Sequence, residues 1–159
     1  MKNTLHARLK VIKLLFAVAL AVASLSPQSG AVQAEKPISI SIRVMNSRNG
    51  KPVPHRSVEV WLDKNRDHKR WGTTDDEGVV EVEIPHDTEV IDAYVYDYVD
   101  CTFDEKAKPK YFQLSIKVSE IIQTGVQAPN HCSKRKMAAK PGELVLFTRT
   151  LTWWERARL

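Results

Sequence analysis

The sequence has no acidic residue before Glu35, no uncharged apolar run long enough to cross a bilayer, and only two cysteines in 159 residues. Each shortage excludes something. Leu14 to Leu25 is the longest uncharged, mostly apolar stretch near the N-terminus; as a helix its twelve residues reach about 18 Å against a hydrocarbon core of about 30 Å. No cysteine lies near residue 34, which argues against a lipid-anchored lipoprotein. There is no Cys-x-x-Cys, His-x-His, His-Glu-x-x-His or nucleophile-elbow spacing, so no metal, zinc-hydrolase or serine-hydrolase signature is present. No internal repeat, coiled-coil heptad or low-complexity tract interrupts the chain.

What the N-terminus does contain is a secretory pattern. Lys2, Arg8, Lys10 and Lys13 form a basic segment, the apolar run follows, and Val32-Gln33-Ala34 places small residues at the −3 and −1 positions of a cleavage site. The expectation is a leader over 1–34, removed to leave a single secreted domain over 35–159, periplasmic or extracellular. A membrane contact is expected only through this leader, were it to stay attached. The whole chain carries 24 Lys and Arg against 19 Asp and Glu, a net charge of +5, but the leader holds four of the bases and none of the acids. The remainder is therefore near +1, and no electrostatic case for nucleic acid survives.

Cys101 and Cys132 both fall in the exported part, where an oxidising compartment favours one bridge. Closing a loop of that length stabilises by about 3–4 kcal/mol in the chain-entropy model. Two free buried thiols, or half of a metal site, are the other readings of the pair.

Alternation of period two marks the strands. Ile38 to Val44 alternates Ile and Val with Ser and Arg; Asn46 to Pro54 is turn-rich. Ser57 to Asp63 points Val58, Val60 and Leu62 one way and Glu59 and Trp61 the other. Asp63 to Lys69 reads as a charged loop, Arg70 to Thr74 as a short strand, and Asp75 to Gly78 as a tight turn. Val80 to Ile84, Val90 to Val99, Tyr111 to Val118 and Glu143 to Leu151 complete seven strands. Ser119 to Gly125 reads as one helical turn with Ser119 as N-cap. Gln127 to Gly142 is a long loop carrying Cys132 and the basic trio Lys134, Arg135 and Lys136. Seven short strands with turns every 8–12 residues read as an all-β antiparallel sandwich with at most one short helix.

Asn46-x-x-x-Gly50-Lys51-Pro52-Val53, the strand Val58 to Leu62, Thr73-Thr74-Asp75-x-x-Gly78 and Ile84-Pro85 together resemble the transthyretin-like (prealbumin-like) sandwiches, most of all the carboxypeptidase regulatory-like domain. The resemblance covers residues 38 to 96 and implies an immunoglobulin-like two-sheet fold. It says little of function, because such domains are appended to many secreted proteins. One branch of the superfamily, the hydroxyisourate hydrolases, is enzymatic. Its catalytic His falls on Arg43 here, its catalytic Arg falls near Thr73 or Thr74, and its closing Tyr-Arg-Gly-Ser is absent. The resemblance therefore implies a domain without that activity, and no cofactor is expected.

Two further constellations deserve weighing. Asp63-Lys64-Asn65-Arg66-Asp67 resembles the opening of a calcium loop, but the sixth position is His68 instead of Gly and the twelfth is Thr74 instead of Glu. His55, His68, His86 and His131 are scattered over separate loops; a bridged Cys132 beside His131 has no thiolate to offer. The aromatics are the remaining candidates. Tyr94, Tyr96 and Tyr98 alternate onto one face of a strand, with Trp61 and Trp71 on or near sheet surfaces and Asp92 alongside. That face is either a ligand platform, suited to glycans, or a second packing layer under the Cys101–Cys132 segment. Trp153 and Trp154 are a terminal aromatic pair suited to docking a partner. The overall expectation is a non-enzymatic binding or structural module engaging an unknown protein or glycan at the cell envelope. A carbohydrate-binding module is the alternative, with an unrecognised hydrolase third.

Overall fold

Two facing sheets arise from the alternating segments, and a computed structural model describes them over residues 36–102 and 115–157. The leader and the predicted strand residues Phe112 and Leu114 lie outside the described residues. The first strand, β1 (Ile38–Asn46), buries Ile40, Ile42 and Val44 completely. It pairs antiparallel with β4 (Val79–Ile84), Ile38 opposite Ile84 and Arg43 opposite Val79. Its other edge pairs in parallel with β9 (Glu143–Thr150), from Ser41 opposite Glu143 to Asn46 opposite Thr148. Beyond β9 lie two short strands, β8 (Val126–Gln127), parallel to it, and β6 (Tyr98–Asp100), antiparallel.

The second sheet has the order β3-β2-β5-β7, with β2 (Ser57–Leu62), β3 (Asn65–Thr73), β5 (Val90–Val95) and β7 (Ile116–Lys117) all antiparallel to their neighbours. The core lies between the sheets: Ile40, Ile42 and Val44 meet Val58, Val60, Leu62, Ile91 and Val95, with Val80, Val82, Ile84, Leu144 and Leu146. Burying one such side chain stabilises by about 1.5–3 kcal/mol relative to exposure.

The expectation of a purely antiparallel, seven-stranded sandwich is corrected here: the described residues form nine strands, and the first sheet is mixed. The reason is visible in β9. Its near-continuous apolar run is buried on both faces, as suits a central strand with parallel neighbours. Leu144 and Leu146 belong to the core between the sheets. Val145 and Phe147 form a separate cluster with Met45 and Cys101, against which Cys132, Met137 and Ala139 pack. The disulfide joins Cys101 and Cys132, so this segment is stitched over the outer side of the first sheet.

Three local expectations also change. The strand expected over Val90 to Val99 breaks after Val95, because Asp97 turns at φ 61° and Tyr98 opens β6 in the other sheet. The loop expected over Asp63 to Lys69 is mostly strand. Asp63 and Lys64 turn at φ 50° and 62°, a two-residue primed hairpin, and β3 begins at Asn65. The Asp63 carboxylate accepts from the backbone N–H groups of Glu89 and Val90, which occupies it as a structural acceptor. The helix α1 (Val118–Thr124) starts one residue earlier than expected and Ser119 does not cap it; Gly125 ends it, donating to the Ile121 carbonyl. A second helix, α2 (Trp153–Arg156), exceeds the single helix anticipated.

The turn residues quoted for the resemblance have defined tasks. Thr74 donates its hydroxyl to the Val53 carbonyl at 2.8 Å and accepts from the Arg56 N–H at 2.9 Å. The Asp75 carboxylate accepts from the Val79 N–H at 2.8 Å. Gly78 sits at φ 71°, where a Cβ would stand 2.8 Å from the Val44 carbonyl oxygen and 2.9 Å from the Val53 nitrogen. Only glycine fits that corner.

Candidate functional site

Strand register decides which side chains share the outer face of the second sheet. Glu59 lies opposite Trp71 on one side and Tyr94 on the other; Trp61 lies opposite Lys69 and Asp92. Two rows therefore cross the sheet from β3 through β2 to β5, Trp71-Glu59-Tyr94 and Lys69-Trp61-Asp92. Tyr96, just past β5, reaches back over the first row.

The four rings form a continuous ladder. Trp61 and Tyr94 are near-parallel, 8° apart with centroids at 6.5 Å. Tyr94 meets Tyr96 edge-on at 5.3 Å, and Tyr96 stacks with Trp71 at 5.2 Å. Cations sit at both ends, the Arg66 guanidinium 5.1 Å from the Trp61 ring and the Lys69 ammonium 5.1 Å from the Trp71 ring. Trp71 and Tyr96 are the open end, 49% and 37% exposed, while Trp61 and Tyr94 are half-buried.

Two carboxylates sit beneath the rings. Glu59 is buried, accepting from the Tyr96 hydroxyl at 2.7 Å and pairing with the Lys69 ammonium at 3.0 Å. Burial pushes its carboxyl up, but the hydrogen bonds from Tyr96, Lys69 and Trp61 and the Lys69 charge outweigh that and hold it below the usual range. The same bond to Glu59, ahead of burial, raises the Tyr96 phenol. Asp92 is the opposite case. It is 7% exposed, and its Oδ2 has no hydrogen-bond partner. Burial, with the neighbouring Asp100 charge adding to it, lifts Asp92 to about 6 against the pull of Lys64 and Arg66. Asp100 is itself raised, by burial, with Thr102 opposing through its hydrogen bonds.

Of the residues expected to form this face, Tyr94, Tyr96 and Trp61 come together and Tyr98 does not. The turn at Asp97 carries Tyr98 into the other sheet, where it packs against the core with the Arg56 guanidinium 5.3 Å from its ring. Trp71, expected on or near a sheet surface, joins Trp61, Tyr94 and Tyr96. Glu59, Lys69 and Arg66 have no site role in the sequence reading. The period-two spacing of Lys69 and Trp71 was the available signal, obscured because the sequence predicts a strand only from Arg70. Cys101 and Cys132 belong to the cluster on the outer side of the first sheet, whereas Ile116 and Lys117 between them pair with β5 at the edge of the second.

Trp153 and Trp154 stand apart from this face on α2, each 68% exposed, edge-on to one another at 4.2 Å. Their helix is tightly built. Thr152 and Glu155 form a reciprocal capping box, and Arg149 grips Glu155 through two bonds of 2.8 and 2.6 Å. Those bonds, with Thr152, hold the Glu155 carboxyl far below the usual range.

Among the described residues no group of three or more His, Cys, Asp or Glu is placed to hold a metal ion, and no helix is long and apolar enough to cross a membrane. Fold and site together define a disulfide-linked, two-sheet β-sandwich with an aromatic outer face. No protein-family model, curated protein or solved structure matches the chain.

Proposed function

We propose that the chain is an exported, non-enzymatic binding module that engages its partner through the outer face of the β3-β2-β5 sheet. The observation carrying this reading is the ring ladder from Trp61 to Trp71. Its outer end is open to solvent, and its geometry is fixed from below by the Tyr96–Glu59–Lys69 bonds. Rigid aromatics whose polar atoms are already held lose little side-chain freedom on binding, which is the property of an interface anchor. Export is supported by the leader pattern and by the disulfide, which suits an oxidising compartment. The transthyretin-like assignment of the sandwich is supported by Thr74, Asp75 and Gly78, each of which is needed where the resemblance puts it.

One observation favours a carbohydrate as the partner. Trp71 and Tyr96 are stacked and exposed, with the Lys69 ammonium beside the Trp71 ring, so an apolar ring face adjoins a polar group, the pairing that sugar C–H faces and hydroxyls require.

Glycan arrays and envelope pull-downs with the exported chain, run beside Trp71→Ala/Tyr96→Ala, test both readings. Loss of a specific ligand by at least about tenfold in the folded variant supports the face as the binding site, and the identity of that ligand separates protein from glycan. A ligand retained at full strength by the variant removes the face from consideration.

A further inference from the structure

The Trp153–Trp154 pair has no task within the described domain, yet considerable structure is devoted to presenting it. Arg149 grips Glu155, and Thr152 and Glu155 cap one another, so α2 is held to the end of β9 with both indoles turned outward. The surroundings are basic. β1 and β9 run parallel, so the β1–β2 turn and the start of α2 emerge at the same end of the first sheet. The Ser47 N–H donates to the Thr148 carbonyl there, and Ser133 is bonded to Ser47. Arg135 donates to the Arg48 carbonyl at 2.9 Å, drawing the 134–136 loop onto that turn. Arg48, Lys51, Lys134, Arg135 and Lys136 are all exposed, and Arg156 and Arg158 follow the indoles in sequence. Carboxylates share this end: the exposed Asp75, Asp76 and Glu77 adjoin the 46–53 turn through Gly78, on the β4 side of β1 and across that strand from β9, Asp97 lies in the β5–β6 turn, and Glu155 is paired with Arg149.

We propose that this end of the domain docks on an anionic bilayer surface, the two indoles entering the headgroup region and the basic residues of the 46–51 turn and the 134–136 loop facing the lipid charge. Size argues against a protein partner for this patch. Two tryptophans offer roughly 300–500 Å², whereas a stable protein interface buries about 800 Å² on each partner. A membrane interface requires no complementary partner surface, and amphipathic indoles concentrate there. Neither component suffices alone, which is the two-signal logic of peripheral attachment.

The test uses Glu35–Leu159, within which every strand pairing of both sheets is contained, so that the apolar leader does not contribute. Co-sedimentation is measured with phosphatidylcholine vesicles containing about one third phosphatidylglycerol, and with phosphatidylcholine alone. Binding is expected only to the anionic vesicles, weakening as salt is raised. Trp153→Ala/Trp154→Ala should lower partitioning at least about tenfold, and Lys134→Glu/Lys136→Glu several-fold, both with unchanged circular dichroism. Equal sedimentation with both vesicle types, or full binding by the tryptophan variant, overturns the proposal. So does a dimer, seen by sedimentation velocity, that the tryptophan variant dissociates, because the patch then belongs to a second copy.

Discussion

Asp92 and Glu59 are two carboxylates on the same sheet face, one strand apart, driven in opposite directions by their neighbours. Glu59 is stabilised as an anion, so its contribution is present at neutral pH and is lost as pH falls through its folded value. Asp92 behaves in reverse. Its folded value of about 6 exceeds the ordinary 3.8, so the native state holds a proton that the unfolded chain has released. Its neutral form is therefore tolerated below pH 4, and stability falls as pH rises through 6. Discounted for solvent screening, that loss is about 1–2 kcal/mol. Asp92→Asn should leave urea stability at pH 4 near that of the parent and exceed it by about that amount at pH 7.5. A constant difference at the two pH values would show that Asp92 ionises as it does in the unfolded chain. None of this was legible in the sequence. Alternation located Asp92 and Glu59 on the outer face, but the partners of Glu59 come from β3 and from the turn after β5, and the Asp100 charge beside Asp92 comes from β6, which no local pattern connects to them.

The elements were legible where burial is one-sided and obscure where it is not. Ile38 to Val44 and Val80 to Ile84 each have a dry face and a more open one, and Ser57 to Leu62 alternates apolar with Glu59 and Trp61 although both are largely covered, so the alternation of all three is plain. β9 is dry on both faces, so its apolar run signalled a strand without revealing that its neighbours would be parallel. The break before Tyr98 was hidden because the turning residue is Asp97, not glycine. The first half of β3, Asn65 to Lys69, was hidden because it is exposed and mostly charged, as edge strands tend to be, while its second half was expected over Arg70 to Thr74. At this scale the disulfide has a specific task. It closes a 31-residue separation and holds Cys132, Met137 and Ala139 over Val145 and Phe147. Reduction should cost about 3–4 kcal/mol, a fall of roughly 10–15 °C in melting temperature for a domain of this size. Thermal melts of Cys101→Ala/Cys132→Ala against the parent measure it; a shift of only a degree or two would mean that the segment stays in place without the bond.

Across the whole molecule, β9 is the strand on which the first sheet depends. β1 uses one of its edges, and β6 and β8 have their pairings on the other. A chain ending at Gly142 should lack a cooperative thermal transition, whereas one ending at Leu151 should melt within a few degrees of the parent, since α2 contributes no residue to the core. Retention of cooperative melting by the shorter chain would mean that the second sheet holds its fold by itself.

The ion pair between Arg43 and Glu143 joins residues 100 positions apart, across the parallel junction of β1 and β9. A chain delivered N-terminus first, from a ribosome or through an export pore, therefore presents β1 long before its partner arrives. During that interval one edge of β1 presents unpaired backbone N–H and C=O groups, and Ile40, Ile42 and Val44 lack the cover of Leu144 and Leu146. Closure of so distant a contact is intrinsically slow. The vulnerable period in the life of this protein is thus its delivery, and a holding chaperone that recognises the nascent β1 would have most to do there.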